Sequence, residues 1–157
     1  MQNHKLLCLR LPHAKGLALP TYATEGAAAM DLVAAVSDPV VIEPLQRSLI
    51  PTGFCFAIPP GFEIQIRPRS GLALNYGLSL PNSPGTIDQD YRGEVKIIVV
   101  NLGTENFTVV RGMRIAQAVL APVAKAVCEE VNELPSTARA EGGFGSTGLF
   151  HEPSKIV

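Results

Sequence analysis

Phe62-Glu63-Ile64-Gln65-Ile66-Arg67 alternates apolar and polar side chains through its whole length. Successive side chains of a strand point to opposite faces. The stretch therefore reads as a strand with Phe62, Ile64 and Ile66 in a core and Glu63, Gln65 and Arg67 on a wet face. Outward from it, β-rich runs recur over residues 6–11, 29–36, 40–42, 48–58, 95–101, 107–110 and 115–123. Turn formers punctuate them at Pro39, Pro44, Pro51-Thr52-Gly53, Pro59-Pro60-Gly61, Leu102-Gly103 and Arg111-Gly112. Short strands broken this often predict an all-β sandwich or barrel. Residues 95–100 are nearly all apolar, which suits a central strand or one that faces a partner subunit. Helix is scarce: residues 70–75 fit one short turn with Ser70 as its cap.

Composition narrows the class. A chain of 157 residues has room for one compact core and is short for two. With 46% hydrophobic and 17% charged residues it reads as a soluble globular protein. The formal net charge is -1, so no basic field draws in nucleic acid, and anion binding must come from local arginines. No apolar run approaches the roughly 20 residues of a membrane span. Lys5 interrupts the apolar N-terminal stretch, which argues against a signal peptide. Cys8, Cys55 and Cys128 sit among apolar neighbours at spacings that match neither a zinc site nor a disulfide framework. They read as buried free thiols, and the cytoplasm is the expected compartment. His4, His13 and His151 read as surface residues near the termini. From Asn132 onward the sequence turns polar, then glycine-rich over residues 141–148. The expected organisation is a β-barrel domain over residues 1–134 and a mobile C-terminal arm over residues 135–157.

Four polar clusters interrupt the β pattern. Pro68-Arg69-Ser70-Gly71-Leu72-Ala73 follows a strand and combines a guanidinium, a hydroxyl and a close-approach glycine. It reads either as an anion site or as a plain helix cap. Asn82-Ser83-Pro84-Gly85-Thr86-Ile87-Asp88-Gln89-Asp90-Tyr91-Arg92-Gly93 reads as a hairpin with Pro84-Gly85 as its turn. Opened slightly, its backbone would read the edge of a pyrimidine, with Asn82 adding an amide, Tyr91 a flat ring for the sugar and Asp88 a carboxylate for water. Closed, it is an ordinary acidic hairpin. In Arg111-Gly112-Met113-Arg114-Ile115-Ala116-Gln117, Gln117 either projects into a cleft or is a solvated strand residue. Arg139 with Gly142-Gly143-Phe144-Gly145-Ser146-Thr147-Gly148 is either a phosphate cradle or a flexible linker.

Taken in order, Ala27-Ala28-Ala29-Met30-Asp31-Leu32 and residues 68–73, 85–93, 112–117 and 139–148 resemble the five motifs of the trimeric dUTPase family. The likeness spans roughly residues 11 to 148. Gly-x-Ile-Asp-x-Asp-Tyr-Arg-Gly and the arm Gly-Gly-Phe-Gly-Ser-Thr-Gly are its most specific parts. Two departures stand out: Ala28-Ala29-Met30 where glycine is usual nearby, and Asn75 where lysine is frequent.

The resemblance implies a jelly-roll protomer, a homotrimer with active sites at the subunit interfaces, and Mg2+-dependent hydrolysis of dUTP to dUMP and pyrophosphate. That reaction limits uracil incorporation into DNA and supplies dUMP for thymidylate synthesis. It implies Asp88 as the carboxylate that orients and deprotonates the attacking water, and Arg139 as the cation that offsets developing charge. Arg69, Ser70, Gly71 and Gln117 would grip phosphates. Asn82, Gly85, Thr86 and Ile87 would line the uracil edge, and Tyr91 would pack under the deoxyribose. Phe144, with Gly145, Ser146 and Thr147, would close over the bound nucleotide. Mg2+ would be held by phosphates and waters with no direct protein ligand, Asp31 and Gln117 acting through water. Residues 134–144 extend to about 30 Å at about 3.3 Å per residue, enough to cap a neighbour's site. The alternatives kept open are a deaminase acting on dCTP and a trimeric nucleotide-binding signalling protein.

Overall fold

The computed structural model describes residues 4–144 and 146. The chain divides into two units, Met1–Ala124 and Lys125–Val157, and every strand of the described residues belongs to the first. Strands β1 (Leu7–Arg10), β2 (Met30–Val33), β3 (Val40–Ile42), β4 (Arg47–Pro51), β5 (Phe54–Ala57) and β6 (Phe62–Arg67) precede the helix α1 (Ser70–Tyr76). Strands β7 (Leu78–Ser79), β8 (Gly85–Ile87), β9 (Lys96–Asn101), β10 (Phe107–Val109) and β11 (Arg114–Pro122) follow it. All ladders are antiparallel. They form a four-stranded sheet β2-β11-β6-β8, a three-stranded sheet β4-β9-β7, and the pairs β1-β5 and β3-β10.

The alternation in the deciding stretch becomes β6 with the same bounds, its Ile64 and Ile66 buried. Leu32, Ile50, Phe54, Ile97, Val99 and Val109 bury their side chains with them in one core. Each such burial is worth about 1.5–3 kcal/mol. The apolar run at 95–100 takes the first of its two expected places: β9 is the central strand of its sheet, with Ile97, Val99 and Val100 buried.

Three local expectations are corrected. The run 48–58 is two strands with different partners, β4 against β9 and β5 against β1. The chain reverses at Gly53 (φ 72), where a β-carbon would stand 2.2 Å from that of Ala14. Only glycine fits both the positive φ and that contact. Ser70 is the first residue of α1 and not its cap; Arg69 holds the extended N-cap position (φ -96, ψ 129). Residues 82–93 are not a closed hairpin either. The chain turns at residues 80–83, where the Ser83 N–H donates to the Leu80 carbonyl at 3.2 Å, and the Ser83–Pro84 bond is cis. Gly85 then opens β8, which pairs along β6. Periodicity over three residues is too short to reveal such a strand.

Asn101 is the buried polar joint. Its amide nitrogen donates to the carbonyls of Ile42 and Glu105, both at 2.8 Å, and its oxygen accepts from the Gly103 N–H at 2.9 Å. The thiols divide: Cys55 is buried, Cys8 half-buried and Cys128 exposed, all free. Cys128 corrects the expectation of three buried thiols, because residues 124–140 are exposed and carry no strand to cover it. His4 and His13 are at the surface as expected, and His151 lies outside the described residues. No helix of the described residues is long and apolar enough to cross a membrane.

Candidate active site

The first cluster forms where β6 ends. Pro68 has no N–H to continue a ladder, and the chain enters α1 two residues later. Asp31 on β2, Gln117 on β11 and Arg67 on β6 are direct cross-strand partners, so all three stand in one row on one face. The Gln117 amide donates to the Pro68 carbonyl at 2.8 Å and ties the row to the loop. The Asp31 carboxylate faces two guanidinium groups: Arg69 Nε lies 3.2 Å from Oδ1, and Arg114 Nη1 lies 3.2 Å from Oδ2. Arg69 also donates to the Arg114 carbonyl at 3.2 Å.

Arg114 is the residue that motif reading passed over as a site candidate, and a β-bulge explains why. Regular alternation puts residues 114 and 117 on opposite faces. Between Arg114 and Ala116 the register slips: Arg114 is opposite Val33, while Gln117 is opposite Asp31. The extra residue brings Arg114 to the face of Gln117 and Asp31. The neighbouring pair Ile115-Ala116, both buried, is the trace this leaves in the sequence.

These side chains surround an open cavity of about 630 Å³, with Ser70 and Gly71 on its rim at the start of α1. Its charged walls are three arginines (Arg67, Arg69, Arg114) against one carboxylate (Asp31), an excess of two positive charges. A cavity so lined suits a polyanion, and planar guanidinium groups suit phosphate oxygens in particular.

The second cluster lies along β8. Gly85 is buried, and a β-carbon there would stand 3.2 Å from the Asn82 amide nitrogen and 3.4 Å from Ile66. Thr86 and Ile87 pair with Gln65 and Ile64 of β6. Exposed Asp88 follows, and its carbonyl accepts from the Tyr91 N–H at 3.2 Å, making a turn. Arg92 braces this turn through the carbonyls of Gln89 (2.6 Å) and Tyr91 (2.9 Å). Because β8 runs antiparallel to β6, Asp88 lies beyond Ile64 toward the start of β6, whereas Arg69 and Ser70 leave from its end. Positions 63 and 67 are four steps apart, about 13 Å at about 3.3 Å per residue. Asn82, Asp88 and Tyr91 are not among the walls of the cavity.

The third cluster belongs to the second unit. The Arg139 Nε donates to the Gly142 carbonyl at 2.8 Å, and the Gly142 N–H donates back to the Arg139 carbonyl at 2.9 Å. A β-carbon at Gly142 would stand 3.0 Å from that carbonyl oxygen. Phe144 is fully exposed with φ 47, and the Ser146 N–H donates to the Gly143 carbonyl at 3.0 Å. Gly145 and Thr147 lie outside the described residues.

Comparison with known proteins identifies the frame that carries these clusters. The dUTPase family matches residues 15–148. A deoxyuridine 5'-triphosphate nucleotidohydrolase of Rhizobium meliloti (strain 1021) is 58% identical over 145 residues, covering 91% of each chain. Among solved structures, a Staphylococcus bacteriophage 80alpha dUTPase with dUpNHpp superposes with a TM-score of 0.83 at 24% identity, over 94% of this chain and 100% of that one. A dUTPase from phage phi11 of S. aureus, whose structure reveals the coordination of a structural Mg(II) ion, gives a TM-score of 0.76 at 21% identity, over 85% of this chain and 100% of that one. The architecture shared with these structures is the β jelly roll.

Proposed function

The chain belongs to the dUTPase family and hydrolyses dUTP to dUMP, and from that premise we propose how its residues divide the work. The observation that carries the reading is the cationic cavity built on Asp31, Arg69, Arg114 and Gln117. Arg69, Ser70, Gly71 and Gln117 bind the triphosphate there. Asn82 and the backbone of Gly85, Thr86 and Ile87 receive the uracil edge, and Tyr91 packs under the deoxyribose. A base with a donor where uracil has an acceptor leaves buried groups unmatched, at a cost of about 1–3 kcal/mol.

Asp88 orients a water and takes its proton. The water oxygen attacks the α-phosphorus in line, a new P–O bond forms, and the bond to the α–β bridging oxygen breaks. Pyrophosphate leaves with the electron pair. Arg139 offsets the charge that builds during attack, and Phe144 with Gly145, Ser146 and Thr147 shields the nucleotide from bulk water. Residues 135–157 act as the closing arm.

We read Mg2+ as an ion that keeps its waters and takes phosphate oxygens. Among the described residues no three His, Cys, Asp or Glu side chains converge as ligands, while Asp31 and Gln117 stand side by side at the cavity. Those two residues would hold the ion through its waters. When bound, the ion neutralises phosphate charge and holds the triphosphate in an attackable shape.

Two observations support a homotrimer with shared sites. Asp88 and Arg69 depart from opposite ends of β6, about 13 Å apart along the strand, which favours sites assembled from more than one chain. The outer face of the β4-β9-β7 sheet shows the cross-strand pair Leu49 and Ile98, 57% and 38% exposed, as an apolar surface for a neighbour. We assign residues 68–73 and Gln117 of a site to one subunit, residues 82–93 to a second and the arm to a third. Three free thiols suit a reducing cytoplasm.

Pyrophosphate release with Mg2+ present, compared for dUTP, dTTP, dCTP and UTP, tests the assignment. The unaltered protein turns over dUTP far faster than the other three, and Asp88→Asn loses that turnover while still binding dUTP. Unchanged turnover in Asp88→Asn would remove Asp88 from the chemistry.

A further inference from the structure

Tyr91 does not rest on its own turn. Its ring lies on Gly93, where a β-carbon would stand 2.4 Å from the hydroxyl oxygen and 2.6 Å from Cζ. Its hydroxyl donates to the carbonyl of Glu94 at 3.1 Å. Whatever fixes Glu94 therefore fixes the plane of the ring.

Glu94 is held from three sides although its side chain is only 13% exposed. One carboxylate oxygen accepts from the Gly53 N–H at 2.8 Å and lies 2.8 Å from His13 Nε2. The other lies 3.7 Å from Lys96 Nζ. The backbone after it is stapled to the same turn: the Val95 N–H donates to Phe54 O at 2.9 Å, and the Thr52 hydroxyl donates to Val95 O at 2.6 Å. Gly53 in turn accepts from the Leu11 N–H at 2.8 Å. The β4–β5 turn and the N-terminal turn Pro12–Ala14 thus meet on one carboxylate. His13 precedes residue 15, where the family match begins.

We propose that Glu94, braced by His13 and the Gly53 amide, is the positioning residue that sets the Tyr91 ring and so the discrimination between deoxyribose and ribose. A ring held by one exposed hydroxyl would swing aside for a 2′-hydroxyl group. A ring whose hydrogen-bond acceptor belongs to a residue tied into two other segments holds its place. This inference rests on the assignment of Tyr91 to the sugar, and the variants keep the two separable.

The readout is the ratio of kcat/KM for dUTP to that for UTP, which a loss of stability alone does not move. Tyr91→Ala serves as reference. Glu94→Ala is expected to lower the ratio about tenfold, the worth of one hydrogen bond to a charged group. Glu94→Gln, which keeps an acceptor for Gly53, recovers part of the loss, and His13→Ala lowers the ratio less. A ratio that falls in Tyr91→Ala but stays within twofold in Glu94→Ala and His13→Ala overturns the inference alone. A ratio unmoved in Tyr91→Ala overturns the sugar assignment and the inference with it. Should Glu94→Ala fail to fold, His13→Ala decides on the same ratio, since His13 is half-exposed and its removal leaves the Gly53 contact intact.

Discussion

Arg114→Ala isolates the residue that the β-bulge turns into the cavity. The side chain is 57% exposed and its ion pair with Asp31 is a single contact at 3.2 Å. Removing it costs the fold no more than about 1 kcal/mol, the usual ceiling for an exposed pair. Arg69 stays in place, because it donates to the backbone carbonyl at position 114, which alanine keeps, and because its own contact to Asp31 is independent. The cavity's charge excess falls from two to one. A guanidinium that reaches phosphate through charge-assisted hydrogen bonds contributes about 1.5–3 kcal/mol, so kcat/KM for dUTP should fall roughly 10- to 100-fold. Binding of dUMP, which lacks the β- and γ-phosphates, should change far less than binding of dUpNHpp. Steady-state pyrophosphate release and calorimetric titration with both nucleotides give the two numbers, with a urea melt to check the fold. A kcat/KM within twofold of the unaltered protein, or equal losses for dUMP and dUpNHpp, would refute the placement of Arg114 on the triphosphate.

Three further predictions concern the frame. Asn101→Ala leaves the carbonyls of Ile42 and Glu105 and the Gly103 N–H without their partner, and equilibrium urea unfolding should show a loss of about 3 kcal/mol. A loss below 1 kcal/mol would mean that water replaces the amide. The thiols should react in the order of their exposure, Cys128 first and Cys55 last, in a timed alkylation read by mass. Burial pushes the Cys55 thiol up, with Glu94 adding to it, and burial pushes Cys8 up against the lowering pull of Arg10. Thiols raised in the folded state favour folding only while the unfolded chain keeps its own protonated. Stability should therefore fall as pH rises through about 9 and beyond, and Cys55→Ala should flatten that decline.

The expectations that held and those that did not separate by the range of the interaction involved. β6 was legible because six alternating residues satisfy a single local rule, and β9 because a nearly unbroken apolar run suits a strand flanked by two others. The family was legible because five segments of fixed residue types stand in a fixed order along the stretch that it matches. The split of residues 48–58 at Gly53 depends on Ala14, thirty-nine positions earlier in the chain, and on Val95. The fate of residues 82–93 depends on β6 offering an edge for β8. Neither partner can be read from the segment itself.

The site divides along the same line. By itself the sequence determined the all-β class, the family, and which side chains are available for chemistry, because alternation, turn residues and motif order are local properties. Only the tertiary structure decided that Arg114 shares a face with Gln117 and Asp31, since one bulged residue reverses every side chain before it. It alone joined His13 and Gly53 to Glu94 beneath Tyr91. It alone put Asp88 and Arg69 at opposite ends of one strand. Such facts are set by register and by contacts between distant segments, and a chain acquires them only when its sheets close on a common core.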